Sequence, residues 1–266
     1  MSASAELLSV HNICKSHFDP NTGGQAEALQ AVSITVDHHE FVSVIGPSGC
    51  GKSTLLRIVA GLDQPNSGEI SVAGQRVSRP GADRGMVFQE YALFPWKTTQ
   101  ANVEFGLMLK GIKKDKRAEI AQRFIELVGL KGSEQKYPHH LSGGMRQRAA
   151  VARAMANNPK ILLMDEPFAA VDAMTRQRLQ EELTAISASE RTTVLFVTHA
   201  IEEAVFLSDR VVVLSGRPGR VIADMKIELD RPRRWDELAG ERRFNDYREQ
   251  LTHLLYGANA PAEMSS

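Results

Sequence analysis

The segment Gly46-Pro-Ser-Gly-Cys-Gly-Lys-Ser-Thr54 alternates glycine with small residues and ends in a lysine and two hydroxyls. Glycine lets a backbone turn until several N–H groups face one centre, and a helix beginning at Lys52 would add its positive end. Gly46, Gly51, Lys52 and Ser53 stand in the fixed places of G-x-x-x-x-G-K-[ST], the pattern that cradles a triphosphate. Pro47, Ser48, Gly49, Cys50 and Thr54 complete the candidate cradle. In that chemistry Lys52 bridges the outer phosphates and the Ser53 hydroxyl ligates Mg²⁺. A chance glycine turn is the competing reading; the strand predicted before the loop and the helix predicted after it speak against that. Cys50 reads as a small filler rather than a nucleophile.

A second chemical group lies about a hundred residues on. Ile161-Leu-Leu-Met-Asp-Glu-Pro167 is an apolar strand ending in two carboxylates. Beside a phosphate loop, Asp165 would hold Mg²⁺, through water, and Glu166 would polarise the water that attacks the terminal phosphate. An acid pair at a strand end is often merely solvent-facing, so its meaning depends on the loop.

The third group is Leu141-Ser-Gly-Gly-Met145, followed by Arg146-Gln-Arg148. Ser142, Gly143 and Gly144 precede a helical stretch predicted over Met145–Met155 and offer N–H groups to a phosphate; an ordinary helix cap by Ser142 is the plainer alternative. This segment resembles the signature of the ABC ATPases, with Met145 where most members have glutamine. The resemblance extends over nearly the whole chain. Gln89 matches the Q-loop glutamine, which in that family senses Mg²⁺ and the attacking water. Ala169-Ala-Val-Asp172 resembles the D-loop, in which Asp172 communicates between subunits. His199 matches the switch histidine that contacts the terminal phosphate. The family also stacks an aromatic side chain on adenine; Phe18 is the candidate, with His17 as the alternative.

What the resemblance implies is a motor assembled from two copies. The phosphate loop of one subunit and the signature of the other (Ser142, Gly143, Gly144, Met145) sandwich ATP, so a single chain has no finished active site. Separate transmembrane permease subunits are implied, with the chain peripheral on the cytoplasmic side of the cell membrane. Glu90-Tyr-Ala-Leu-Phe-Pro-Trp96 and the helical insertion are the expected docking face, with Phe94 and Trp96 as either exposed anchors or core residues. Leu93-Phe-Pro-Trp96, and Ser215-Gly-Arg-Pro-Gly-Arg220 followed by Arg231-Pro-Arg233, resemble the nitrate, sulfonate and taurine importer group. Import of a small anion, delivered by an extracytoplasmic solute-binding protein, is the expectation. A soluble, non-transport ABC ATPase is the alternative, but neither a second cassette nor a long coiled-coil insertion is visible. A small-molecule kinase or GTPase would leave Leu141–Met145 and His199 unexplained.

These groups need a scaffold. Apolar runs at Val32–Val36, Phe41–Ile45, Glu69–Val72, Gly85–Phe88, Ile161–Met164, Val194–Val197 and Val211–Leu214 read as strands, several covered on both faces. Lys52–Ala60 reads as a helix ending at Gly61. Helical periodicity takes over between Thr98 and Asn157, near Ala101–Leu109 and Ala118–Val128, as an insertion into an α/β core. The fold class expected is therefore an α/β phosphate-loop NTPase core of the ABC ATPase type, with an N-terminal antiparallel β region and an inserted helical subdomain. The domain expectation is an ATPase domain over 1–230, its helical subdomain at about 98–157. A short extension over 231–266 follows, helical near Arg242–Leu255 and ending in small residues.

Composition bounds the remaining possibilities. With 42% apolar and 24% charged residues over 266 positions, the chain has the balance of a folding globular protein. Lys plus Arg and Asp plus Glu are 32 each, which gives no reason to expect a nucleic-acid partner. Two cysteines form no disulfide framework and suit a reducing compartment. Met1–Val10 lacks the pattern of a secretory signal, and no run approaches the roughly 20 apolar residues of a membrane span. The basic cluster Arg231, Arg233, Arg234 is expected in a solvated loop, with a lipid contact as the alternative.

Overall fold

A computed structural model describes residues 6–19, 23–169, 171–238 and 240–257. In chain order the elements are β1 (Glu6–Asp19), β2 (Gly24–Asp37), β3 (Phe41–Ile45), α1 (Lys52–Ala60), β4 (Ser67–Val72), β5 (Gln75–Arg76), β6 (Arg84–Val87), α2 (Thr99–Leu109), α3 (Lys114–Leu127), α4 (Gly143–Ala156), β7 (Ile161–Asp165), α5 (Ala173–Ser189), β8 (Thr193–Thr198), α6 (Ile201–Leu207), β9 (Arg210–Leu214), β10 (Val221–Lys226), α7 (Trp235–Leu238) and α8 (Arg242–Tyr256). They form two compact units, Met1–Arg79 with Leu195–Ser266, and Pro80–Val194.

The first unit contains an antiparallel sheet in the order β2-β1-β4-β5. In β2 the apolar Val32, Ile34 and Val36 are buried while Ala31, Ser33 and Thr35 are exposed, the two-residue period of a strand with one wet face. β1 was not anticipated, because bulges near Asn12 break its alternation; Asn12 itself has φ 51°. The unit's other strands run β10-β9-β3-β8, with β3 parallel to β9 and β10 antiparallel to it. All five residues of β3 are buried, as are those of β8, which explains their unbroken apolar composition. Helix α1 matches its predicted span at both ends. Gly51 and Gly61 flank it in left-handed conformations, and the Gly61 N–H closes on the last turn.

The second unit pairs β6 and β7 in parallel and packs α2, α3 and α4 against one another, with α4 also on β6. Asn102, fully buried on α2, accepts from the Phe94 N–H (2.8 Å) and donates to the carbonyls of Phe94, Lys97 and Thr98. One amide thus fixes the loop that precedes its own helix. Helix α5 went unread in the sequence although its signals are plain: Asp172 caps it, and Leu179 and Leu183 lie on one buried face.

The basic cluster departs from expectation at its centre. Arg234 is largely exposed beside Asp236, as a solvated arginine should be. Arg233 is only 4% exposed and donates to the carbonyls of Val205, Phe206, Ser208 and Leu229. A charge run in the sequence does not reveal that a helix C-terminus, with its unpaired carbonyls, waits nearby. Residues 258–266, the small-residue tail of the sequence reading, lie outside the described residues.

Candidate nucleotide-binding and hydrolysis site

In the first unit, β3 delivers the chain at Ile45 into the glycine-rich turn, and α1 leaves it at Lys52. Gly49 and Gly51 have φ of 77° and 98°. A Cβ on Gly51 would stand 2.7 Å from the Ala28 carbonyl oxygen, and one on Gly46 2.7 Å from the Cys50 sulfur. Both glycines therefore serve close packing as well as backbone freedom. The Cys50 thiol is fully buried, and burial raises its pKa despite Lys52 nearby, so it stays a neutral filler. Lys52 is 6% exposed, and its Nζ donates to the carbonyls of Gly46 (2.8 Å) and Pro47 (3.0 Å). Ser48, Gly49 and Ser53 face solvent, as an incoming phosphate requires.

The same unit carries His199, exposed immediately after buried β8; the Thr198 hydroxyl accepts from the Ala200 N–H (3.0 Å) and turns the chain there. It also carries both adenine candidates at the end of β1. Phe18 is 71% exposed, and the His17 ring nitrogen lies 3.4 Å from the Thr54 hydroxyl. An exposed phenyl ring suits stacking, whereas His17 reaches the phosphate-loop helix itself.

The second unit holds the remaining candidates. Asp165 ends β7 at 8% exposure. Glu166, next in the chain, has φ 42°, a left-handed backbone that side chains with a Cβ adopt at a cost. Gln89 is exposed just after β6, in a loop where Tyr91 and Ala92 also have positive φ. Arg153 on α4 donates to the carbonyls of Ala92 (2.6 Å) and Tyr91 (3.1 Å), a loop support that the sequence reading missed. No local pattern singles it out from other helical arginines.

Ser142 is the N-cap of α4, its hydroxyl accepting from the Met145 N–H at 3.3 Å. The helix begins at Gly143 rather than Met145, so Gly143 and Gly144 form its first turn, where N–H groups lack partners within the helix. A Cβ on Gly144 would meet the Thr175 methyl at 3.0 Å, so α5 packs close to the signature turn. Asp172 caps α5 by accepting from the Thr175 N–H (3.0 Å), and this bond lowers its carboxyl pKa. Of the predicted D-loop, Ala170 lies outside the described residues.

The donor set offered for a metal, the Ser53 hydroxyl, the Gln89 amide oxygen and the Asp165 carboxylate, consists of hard oxygens. Oxygens of this kind, one on the first unit and two on the second, are the kind that Mg²⁺ takes.

Residues 29–169 match the family model described as ABC transporter. The chain belongs to the ABC transporter ATP-binding family. It is 54% identical over 248 residues to an uncharacterized ABC transporter ATP-binding protein of Methanocaldococcus jannaschii, covering 93% of this chain and 91% of that one. The nitrate import ATP-binding protein NrtD of Synechocystis is 48% identical over 239 residues, 88% and 90% of the two chains. The bicarbonate transport ATP-binding protein CmpC of Synechococcus elongatus is 42% identical over 252 residues, 94% of this chain and 38% of that longer one. Among solved structures, the ATP-binding cassette MJ0796 in a dimeric post-hydrolysis state bound to ADP and Pi aligns with a TM-score of 0.73 and 31% identity, covering 84% of this chain and all of the other. The expected fold class and ATPase activity are therefore those of this ABC transporter protein. Among its described residues no helix is long and apolar enough to cross a membrane.

Proposed function

We propose that this ABC subunit works as an ATP-sandwich homodimer on the cytoplasmic face of a membrane, energising import of a small anion such as nitrate or bicarbonate through separate permease subunits. The observation that carries this reading is the 48% identity with a nitrate import ATP-binding protein over nine-tenths of each chain. Likeness to a bicarbonate transport protein supports an oxyanion cargo rather than one fixed solute.

In this reading Gly46–Thr54 wraps the phosphates of ATP, Lys52 turns its amine from its own loop's carbonyls to the outer phosphates, and Phe18 stacks on adenine. The second copy's Ser142, Gly143, Gly144 and Met145 close on the terminal phosphate from the other side. Glu166 draws a proton from the attacking water, and His199 donates a hydrogen bond to the phosphoryl oxygen as charge develops there. Ser53, Gln89 and Asp165 are the residues whose oxygens would hold Mg²⁺, which would supply charge neutralisation when bound. Asp172 carries the state of one site to the other. ATP shared by two surfaces favours the closed dimer, and hydrolysis removes that preference, so the cycle is a population shift that a permease uses.

A groove of about 580 Å³ in the second unit, lined by Met86, Phe88, Phe94, Phe105, Leu109 and Arg153, supports the docking role proposed for residues 90–96. Trp96, 71% exposed and 5.6 Å from the Phe94 ring, would be its outer anchor.

Reconstitution with its permease and solute-binding protein tests cargo. ATP-dependent uptake of labelled nitrate or bicarbonate is expected, and hydrolysis unresponsive to any small anion would sink the import reading. Lys52→Ala tests the motor beneath it: Mg²⁺-dependent hydrolysis surviving that change would remove the phosphate loop from its role.

A further inference from the structure

Helix α6 begins two residues after His199 and is only seven residues long. Isolated helices shorter than about 12–15 residues are marginal in water, so the position of α6 depends on what holds it. Its end is held by arginine. The Arg233 guanidinium donates from one nitrogen to the carbonyls of Val205 (3.0 Å), Phe206 (2.9 Å) and Ser208 (2.8 Å), and from the other to Leu229 (3.0 Å). Arg231 takes the remaining carbonyl, Leu207, at 2.8 Å, while binding Asp209. The four carbonyls that a helix leaves unpaired at its C-terminus thus all go to two arginines of one short segment. Their charge also suits the negative end of the helix dipole.

The same segment grips α6 through its rings. Trp235 lies parallel on Phe206, centroids 4.3 Å apart and planes 4° apart, and Phe244 of α8 meets Trp235 edge-on at 6.0 Å. Arg248 of α8 reaches Glu202, in the first turn of α6, at 3.0 Å. Burial lowers the Arg233 pKa to about 10, with Arg231 adding to the effect, which leaves the guanidinium charged at neutral pH.

We propose that Arg233 is a positioning residue for His199: by capping α6 it fixes the helix from which the histidine is presented. This rests on the reading of His199 as the contact to the terminal phosphate. The hydrogen bonds of Arg233 go to Val205, Phe206, Ser208 and Leu229, none of them in the phosphate loop or among the adenine candidates, so its removal is expected to act on turnover rather than on nucleotide binding. Lysine is no replacement, because a single ammonium lacks the fork that serves carbonyls on two sides.

The test is a double-mutant cycle on the full-length protein, reading kcat for Mg²⁺-ATP hydrolysis, affinity for a fluorescent ATP analogue, and Tm. Arg233→Ala and Arg233→Lys are expected to lower kcat by about tenfold to a hundredfold, the range that follows from misplacing a catalytic group by about an ångström. Nucleotide affinity should stay within about twofold. Placed on His199→Ala, Arg233→Ala should change the residual kcat by less than about twofold, since its route is already gone. A stabilising role alone would lower Tm and leave kcat per folded molecule intact; that result overturns the proposal, as does a full multiplicative loss on His199→Ala. Wild-type turnover in His199→Ala alone would instead bring down the switch-histidine reading. Should Arg233→Ala fail to fold, the cycle is run with Arg233→Lys.

Discussion

Gly219 packs against the carbonyl oxygen of Cys50 so closely that a Cβ at position 219 would lie well inside van der Waals contact. The Gly219 N–H also donates to the Ala28 carbonyl (2.9 Å), and its carbonyl accepts from the Gln30 N–H (3.0 Å). The loop after β9 therefore braces the phosphate loop from beneath. Gly219→Ala should displace Cys50 and weaken ATP-analogue binding by about tenfold, equivalent to about 1.4 kcal/mol. Gly216→Ala, a few residues away in open space, should bind normally. Equal affinities in a fluorescence titration would mean that the brace is immaterial.

Glu166→Gln keeps the side-chain length and removes the proposed base. ATP binding should persist, while hydrolysis falls by about 10²–10⁴-fold, the usual contribution of general base catalysis. With hydrolysis slowed, a dimer held by ATP should accumulate and be visible by light scattering. Normal turnover in this variant would take Glu166 out of the base role.

Asp172 gives a pH dependence whose sign can be worked out. The Thr175 N–H holds the folded-state carboxyl below its ordinary pKa, so the cap's contribution is complete above about pH 4, the unfolded-state value. It is lost as pH falls through the folded value. Asparagine caps as well as aspartate but does not titrate. Asp172→Asn should therefore melt like the parent at neutral pH and lose less stability on acidification, as followed by circular dichroism between pH 2 and 5; parallel acid limbs would count against it.

Asn102→Ala leaves the Phe94 N–H and the Lys97 carbonyl without the Asn102 amide, while the Phe94 and Thr98 carbonyls keep a backbone N–H. The expected destabilisation is about 2 kcal/mol, or a Tm lower by roughly 4–8 °C in a protein of this size. Faster proteolysis within residues 90–98 should accompany it, and an unchanged Tm would show that the loop is held by other means.

How far the sequence could be read varied with how local the cause was. Helix α1 was legible at both ends because Gly51 and Gly61 are local stops, and β3, β7 and β8 because burial on both faces leaves unbroken apolar runs. β1 was not, since its bulge at Asn12 destroys the alternation that marks a strand. Short α6 buries Glu203 through Leu207 all round and so shows no amphipathic stripe. Most candidate site residues were proposed from motif spacing, which reports residue types and their order directly. Arg153 and Arg233 were missed as supports because their partners are backbone carbonyls 61 and 28 residues away, invisible to any short pattern.

The backbone of Glu166 carries a further lesson for anyone engineering this protein. Its left-handed conformation is one that glycine adopts freely and glutamate does not. Selection for heat resistance alone would thus push position 166 towards glycine, trading the proposed base for robustness. If Glu166 is the base proposed for it, a library screened by melting temperature should hold this codon fixed, or its winners will be sturdy proteins that have ceased to be motors.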